Sequence, residues 1–70
     1  MKNLENIKNQ LLQGNMIELT NEEDNLTLFK GKFGFVAILN AKTLFGFKTI
    51  NTFISRLELE IDKRNLELQD

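Results

Sequence analysis

The strongest structural signal in the chain is residues 26–48, which read LTLFKGKFGFVAILNAKTLFGFK. Apolar, aromatic and β-branched residues dominate this stretch, as is typical of strands that bury at least one face. The pattern predicts three strands, over 26–30, 33–39 and 43–48. Gly31 allows a tight reversal, residues 40–42 form the next turn, and residues 15–20 add a short strand before them. The expected sheet is an antiparallel meander of three to four strands.

A helix is expected on the N-terminal side of this sheet, at about 3–13. Asn3 is a suitable N-cap, and Gly14 stands where a left-handed residue is favoured at the end of a helix. Apolar residues recur on one face of this helix, with polar residues elsewhere: Leu4, Ile7, Leu11 and Leu12.

The C-terminal segment fits two different periods. Residues 57–61 alternate between apolar and charged as a strand does, and residues 66–68 would pair with them across a turn. At about 100° per residue, however, a larger set of apolar residues shares one helical face: Ile50, Phe53, Ile54, Leu57, Ile61 and Leu68. This favours a longer helix over 50–68 that Thr49 caps, with a hairpin as the alternative.

Length and composition indicate one small α+β domain over residues 1–70, with both helices packed on one face of the sheet. The chain has no cysteine and no histidine, which excludes disulfides, ordinary zinc sites, reactive thiols and the commonest general base. We therefore expect a protein that is not an enzyme and binds no metal or cofactor. No apolar run approaches the ~20 residues that cross a bilayer, and no signal-peptide pattern is present. A soluble cytoplasmic protein without a membrane partner is the expectation.

Charge divides the chain into three segments. Residues 1–24 carry two basic and five acidic residues, a net charge of −3. Residues 25–56 carry five basic residues and no acid, a net charge of +5, and they hold all six phenylalanines. Residues 57–70 again have a net charge of −3. A basic, Phe-rich block suits single-stranded nucleic acid, whereas an acidic helix suits a basic protein surface.

The first functional hypothesis is a non-catalytic protein-binding module, of the kind that phages and mobile elements encode as small inhibitors and regulators. It would act through an exposed sheet surface or through the acidic helix, where the candidates are Glu58, Leu59, Glu60, Asp62, Leu66 and Glu67. Leu59 and Leu66 lie opposite the core-facing stripe and would form a seam for a partner helix or a second copy. A structural homo-oligomer built on this seam, or on a sheet face, is a further alternative.

Residues 31–38, GKFGFVAI, resemble the ribonucleoprotein octamer of RNA-recognition domains and the related cold-shock motif. Consecutive positions match that pattern: Phe33, Gly34, Phe35 and Val36. Gly31 and Lys32 stand in swapped order, and Ile38 replaces the final aromatic residue. The resemblance implies binding of single-stranded RNA, with rings stacked on bases and lysines at phosphates. The residues concerned would be Lys30, Lys32, Phe33, Phe35, Lys42 and Lys48.

Strand alternation leaves the direction of this motif open. If the strand begins at residue 33, Phe33 and Phe35 share one face with Ala37 and Leu39. The opposite face then carries Gly34, Val36 and Ile38. Either set is apolar enough to form the core under the helices, and the other set lines the second face. An outward-facing pair of phenylalanines favours nucleic acid, and an inward-facing pair favours the acidic helix as the site.

Overall fold

The computed structural model describes residues 4–68 and confirms the α+β meander. Its elements are α1 (Leu4–Leu12), β1 (Ile17–Thr20), β2 (Asn25–Gly31), β3 (Gly34–Leu39), β4 (Lys42–Phe47), α2 (Ile50–Arg64) and β5 (Glu67–Leu68). All neighbouring strands are antiparallel, and the spatial order is β4-β3-β2-β1-β5. The four predicted strands and the first helix lie within two residues of their expected bounds. Asn3 lies outside the described residues, and Gly14 has the expected left-handed backbone (φ +88°).

Both helices pack on the same face of the sheet, as the sequence predicts. α1 contacts β1 and β2, α2 contacts β3 and β4, and the two helices also contact each other. The core between them is apolar, and Phe53 of α2 lies at its centre. Its ring centroid lies 5.8 Å from that of Phe35 and 5.2 Å from that of Phe45. Thr49 occupies the N-cap position of α2, but its hydroxyl donates to the Thr52 hydroxyl and does not cap the helix.

The C-terminal helix is shorter than expected, because it ends at Arg64 and not at residue 68. Asn65 adopts a left-handed conformation (φ 54°, ψ 47°), which an asparagine tolerates well, and its N–H still donates to the Ile61 carbonyl. The chain then reverses, Leu66 becomes buried, and β5 pairs with the edge of β1. The helix prediction for 65–68 is therefore wrong. The alternative hairpin is wrong as well, because residues 57–61 are helical.

A second correction concerns the start of β3. Phe33 belongs to the turn between β2 and β3, and the strand begins at Gly34, which pairs with Gly31. Gly34 has φ +145°, and a Cβ at this position would lie 2.5 Å from the Phe47 carbonyl oxygen. Only glycine fits there. Phe33 and Phe35 therefore do not share a strand face, contrary to the expectation.

The turn between β3 and β4 consists of two residues with positive φ, Asn40 (49°) and Ala41 (72°). Leu39 and Lys42 pair on either side of it, so the strands are joined by a hairpin of the type that favours Asn-Gly. Asparagine is well suited to the first position. Alanine at the second position carries a Cβ that opposes the left-handed conformation.

Gly34→Ala should lower the free energy of unfolding by at least about 2 kcal/mol, since it adds both backbone strain and a steric clash. The measurement is urea unfolding followed by circular dichroism. Gly14→Ala is the matched control, because Gly14 also has positive φ but has no atom within 4 Å of an added Cβ. We expect a loss of only about 1 kcal/mol for the control. Equal losses in the two variants would show that the contact with Phe47 is unimportant.

Ala41→Gly should raise the free energy of unfolding by about 0.5–1 kcal/mol, because glycine adopts the left-handed turn without strain. Ala37→Gly makes the same chemical change in a buried strand position without positive φ, and it should destabilise. Thermal and urea unfolding of both variants would test this pair. A less stable Ala41→Gly protein would contradict the role assigned to the turn.

Candidate binding surfaces

The face of the sheet opposite the helices is not covered by any element among residues 4–68. Three apolar side chains lie on it, and each is half-buried by its neighbours on the sheet: Phe29, Val36 and Ile38. Phe29 and Val36 are direct cross-strand partners, and Ile38 pairs with Thr27. A Cβ added to Gly31 would lie 3.7 Å from both Phe29 Cε2 and Val36 Cγ2, so these two side chains lie side by side. We refer to Phe29, Val36 and Ile38 as the apolar strip.

A shallow groove of ≈ 310 Å³ continues from the apolar strip at the end of the sheet where β2 turns into β3. Phe33 is the most exposed aromatic residue that borders it, with 81% of its surface accessible. The Lys32 Nζ atom lies 5.6 Å from the centroid of the Phe33 ring. No acidic residue lines the groove. We call it the turn groove, and residues 31–36 and 46–48 line it.

The residues predicted for nucleic-acid binding are only partly brought together. Lys32, Phe33 and Lys48 all line the turn groove. Phe35 borders the groove as well, but its side chain is buried against Phe53 on the helix side and leaves no exposed ring for stacking. Lys42 begins β4 and so lies at the opposite end of the sheet.

Lys30 is exposed near the turn groove, and its neighbour across the ladder is Phe35. Alternation along β2 directs its side chain to the side of the helices, away from the apolar strip. Lys30 therefore adds positive charge to this end of the molecule without lining the groove itself.

The residues predicted for protein binding on α2 also separate. Glu58, Leu59 and Asp62 are exposed on its outer side, and Leu59 is 65% accessible. Glu67 is exposed but belongs to β5. Leu66 is buried in the core, since the chain reverses at Asn65. The predicted seam of Leu59 and Leu66 is therefore wrong.

The Glu60 side chain is buried and has a structural role. Its carboxylate accepts hydrogen bonds from Arg64 Nε at 2.9 Å and from Arg56 Nε at 3.3 Å, one helical turn away on either side. The Arg56 guanidinium also stacks on Phe45, with its central carbon 4.9 Å from the ring centroid. Burial by itself raises the pKa of Glu60, but the hydrogen bonds and charges of the two arginines outweigh it, so the pKa lies below its ordinary value of 4.5.

A group of polar side chains ties three separate segments together at the end of the sheet opposite the turn groove. Asn21 donates to the Arg64 carbonyl at 2.6 Å, and Arg64 pairs with Asp24 at 3.4 Å. Asn40 donates to the other Asp24 oxygen at 2.9 Å, and this bond is the largest cause that lowers the pKa of Asp24. We call these four residues the polar clasp. Three consecutive acids stand here in the sequence, at 22–24, but the pairing of Asp24 with Arg64 joins residues far apart in the chain and leaves no local signal.

The described residues contain no group of three or more acidic side chains arranged to hold a metal ion. No helix in this part of the chain is long and apolar enough to span a membrane. Neither a protein-family model, nor a curated protein, nor a solved structure matches the chain. Function is therefore inferred from the apolar strip, the turn groove and the outer side of α2.

Acidification should destabilise the protein as Glu60 and Asp24 take up protons, because both have pKa values below their ordinary 4.5 and 3.8. A carboxylate with a lowered pKa contributes stability above its ordinary value and loses it as the pH falls through the folded-state pKa. Glu60→Gln should cost about 1.5–3 kcal/mol at about pH 7 through the lost charge-assisted hydrogen bonds. That difference from wild type should shrink as the pH falls through the lowered pKa of Glu60, because the wild-type carboxylate is then neutral as well.

Urea unfolding at a series of pH values measures this effect. Glu67→Gln is the matched control, because Glu67 is exposed on β5 and should leave both the stability and its pH dependence nearly unchanged. A constant difference between wild type and Glu60→Gln across the pH series would contradict the role of the buried carboxylate.

Proposed function

We propose that the chain is a non-catalytic protein-binding module that acts through the uncovered face of its sheet. The observation that carries this proposal is the position of both helices on one face, which leaves Phe29, Val36 and Ile38 together on the other. Antiparallel sheets often have one solvated face, but such a face usually carries polar side chains. Here its central positions are apolar.

The apolar strip has the properties of a surface that loses water on binding. Phe29 and Val36 contact each other across the ladder, so they present one continuous surface and not two isolated side chains. Burial of apolar area contributes roughly 25 cal/mol per Å². Rotamers already restricted by cross-strand packing lose little further entropy when a partner covers them.

Polar residues around the strip indicate the character of the partner. Glu18 and Thr27 flank it on the β1 side, while Lys32 and Lys48 lie at its turn end. A protein surface with an apolar centre and acidic groups facing the two lysines would complement this arrangement. The lack of histidine and cysteine, which removes the commonest general base and the reactive thiol, suits a non-catalytic regulator or inhibitor of the kind that phages and mobile elements encode.

The outer side of α2 supports this function less well. Of the six residues considered there, Glu60 is engaged by two arginines and Leu66 is part of the core. Leu59 remains as a single exposed apolar residue, which is common on protein surfaces. The uncovered sheet face has contiguous apolar side chains on neighbouring strands, and so we assign the binding role to it.

Site-specific photo-cross-linking in the native cells tests this assignment. A benzophenone side chain replacing Phe29 should give a discrete cross-linked product, whereas the same group at Ser55, an exposed residue of α2, should not. Val36→Lys should reduce the Phe29 product at least about tenfold by placing a charge in the interface. Circular dichroism should show that Val36→Lys remains folded.

The outcomes separate the alternatives. A product with twice the mass of the chain identifies a second copy as the partner on the sheet face, and a larger product, identified by mass spectrometry, identifies another protein. Products formed from Ser55 but not from Phe29 would move the site to α2 and overturn the proposal. No product from Phe29 above the Ser55 background would also overturn it.

A further inference from the structure

Phe33 has no structural role that accounts for its exposure. The other five phenylalanines are buried or half-buried, whereas Phe33 stands at the tip of the β2–β3 turn with 81% of its surface accessible. Tight turns favour glycine, asparagine and aspartate at their tips, so turn chemistry does not require an aromatic residue there. Lys32 contacts its ring at 5.6 Å, a weak cation–π interaction at the surface.

The glycines beside Phe33 give a second and independent observation. Three of the four glycines in the chain line the turn groove: Gly31, Gly34 and Gly46. Backbone sterics explain Gly34, but not Gly31, which lacks positive φ and whose added Cβ would meet no atom closer than 3.5 Å. A glycine inside a strand weakens it, and one common reason for its presence is the close approach of a ligand. At Gly31 the missing side chain leaves the floor beside Phe33 flat.

The charge at this end of the sheet selects for an anion. Lys32 and Lys48 both line the turn groove, Lys30 lies nearby, and none of the groove-lining residues is acidic. No acid occurs in the sequence from residue 25 to residue 57. The glycine floor also exposes backbone beside the two lysines, so an anionic group is able to approach closely.

From these observations we propose that the turn groove binds one nucleotide unit, with the base stacked on Phe33 and the phosphate held by Lys32 and Lys48. A flat floor next to an exposed ring fits a planar group, and base–aromatic stacking is a major source of affinity in sites that bind single strands. The groove volume of ≈ 310 Å³ is at the lower end for ligand sites, which suits a single unit. The nucleotide is either free or part of a single strand. This site shares Lys32, Lys48 and Val36 with the protein-binding face, but the exposure of Phe33 and the glycine at position 31 support it separately.

Two titrations test the site and distinguish the two sources of the nucleotide. Fluorescence anisotropy with labelled single strands of about 12 nucleotides, at about 20 and 150 mM salt, reports strand binding. Amide chemical-shift changes in the wild-type protein, with adenosine and uridine monophosphates, report the free nucleotide. We expect the largest chemical-shift changes at the amides of Gly31, Phe33 and Gly46. The source that binds more tightly, single strand or free nucleotide, identifies the ligand of the site.

Variants separate stacking from simple charge attraction. Phe33→Ala should weaken binding about tenfold, as expected for the loss of one stacked base. Lys32→Gln and Lys48→Gln should each lower the salt slope by about 1, whereas Lys42→Gln, at the far end of the sheet, should leave it unchanged. Gly31→Ala should weaken binding with little loss of stability, because its Cβ has ordinary contacts but occupies the groove.

Three results would overturn the site. The first is no binding of either source at the lower salt concentration. The second is equal affinity of wild type and Phe33→Ala, which would show that only charge is recognised. The third is equally tight binding of poly-glutamate, which would show that the groove does not distinguish a nucleotide from an acidic peptide.

Discussion

The close approach of Gly34 to the Phe47 carbonyl fixes the backbone at the point where β3 begins. Only a residue without a Cβ fits this contact, so β3 begins at Gly34. Alternation then directs Phe35 and Ala37 to the helices, and Val36 and Ile38 to the uncovered face. Phe33 is left in the turn, outside the strand. The core, the apolar strip and the turn groove all include residues of β3 or of the turn that precedes it.

Local patterns predicted the strands and helices well, since alternation, turn residues and helical periodicity are properties of neighbouring residues. The end of α2 was different. Helical periodicity continues through Leu68, and nothing in residues 65–68 forbids a helix. The chain leaves the helix because Leu66 becomes buried in the core and Leu68 pairs with Leu19. Both are contacts with distant parts of the chain, so local periodicity carries no information about them.

The candidate sites were harder to predict, because each depends on which face and which end of the sheet a residue occupies. Alternation separated Phe35 and Ala37 from Val36 and Ile38, but it did not reveal which face the helices cover. The structure places Phe35 in the core and Phe33 in the turn, outside the alternation. Lys42 and Lys48 belong to one basic block in the sequence but lie about 20 Å apart along β4. The pairing of Glu60 with both arginines was visible in the i, i+4 spacing, yet its burial was not.

The five basic residues of the segment 25–56, which contains no acid, therefore have different roles. Arg56 neutralises Glu60 and stacks on Phe45, and Lys42 lies at the far end, so only three lysines remain near the turn groove. Only Lys32 and Lys48 line the groove, and phosphate contacts from two lysines give a modest, salt-sensitive affinity for a polyanion. The affinity of a partner for the apolar strip, by contrast, comes from burial of apolar area and does not depend on phosphate contacts that salt weakens. Because Val36 belongs to the strip and also lines the groove, a protein that covers the strip meets whatever the groove holds. The two proposed ligands would therefore either compete for this end of the sheet or contact each other when both are bound.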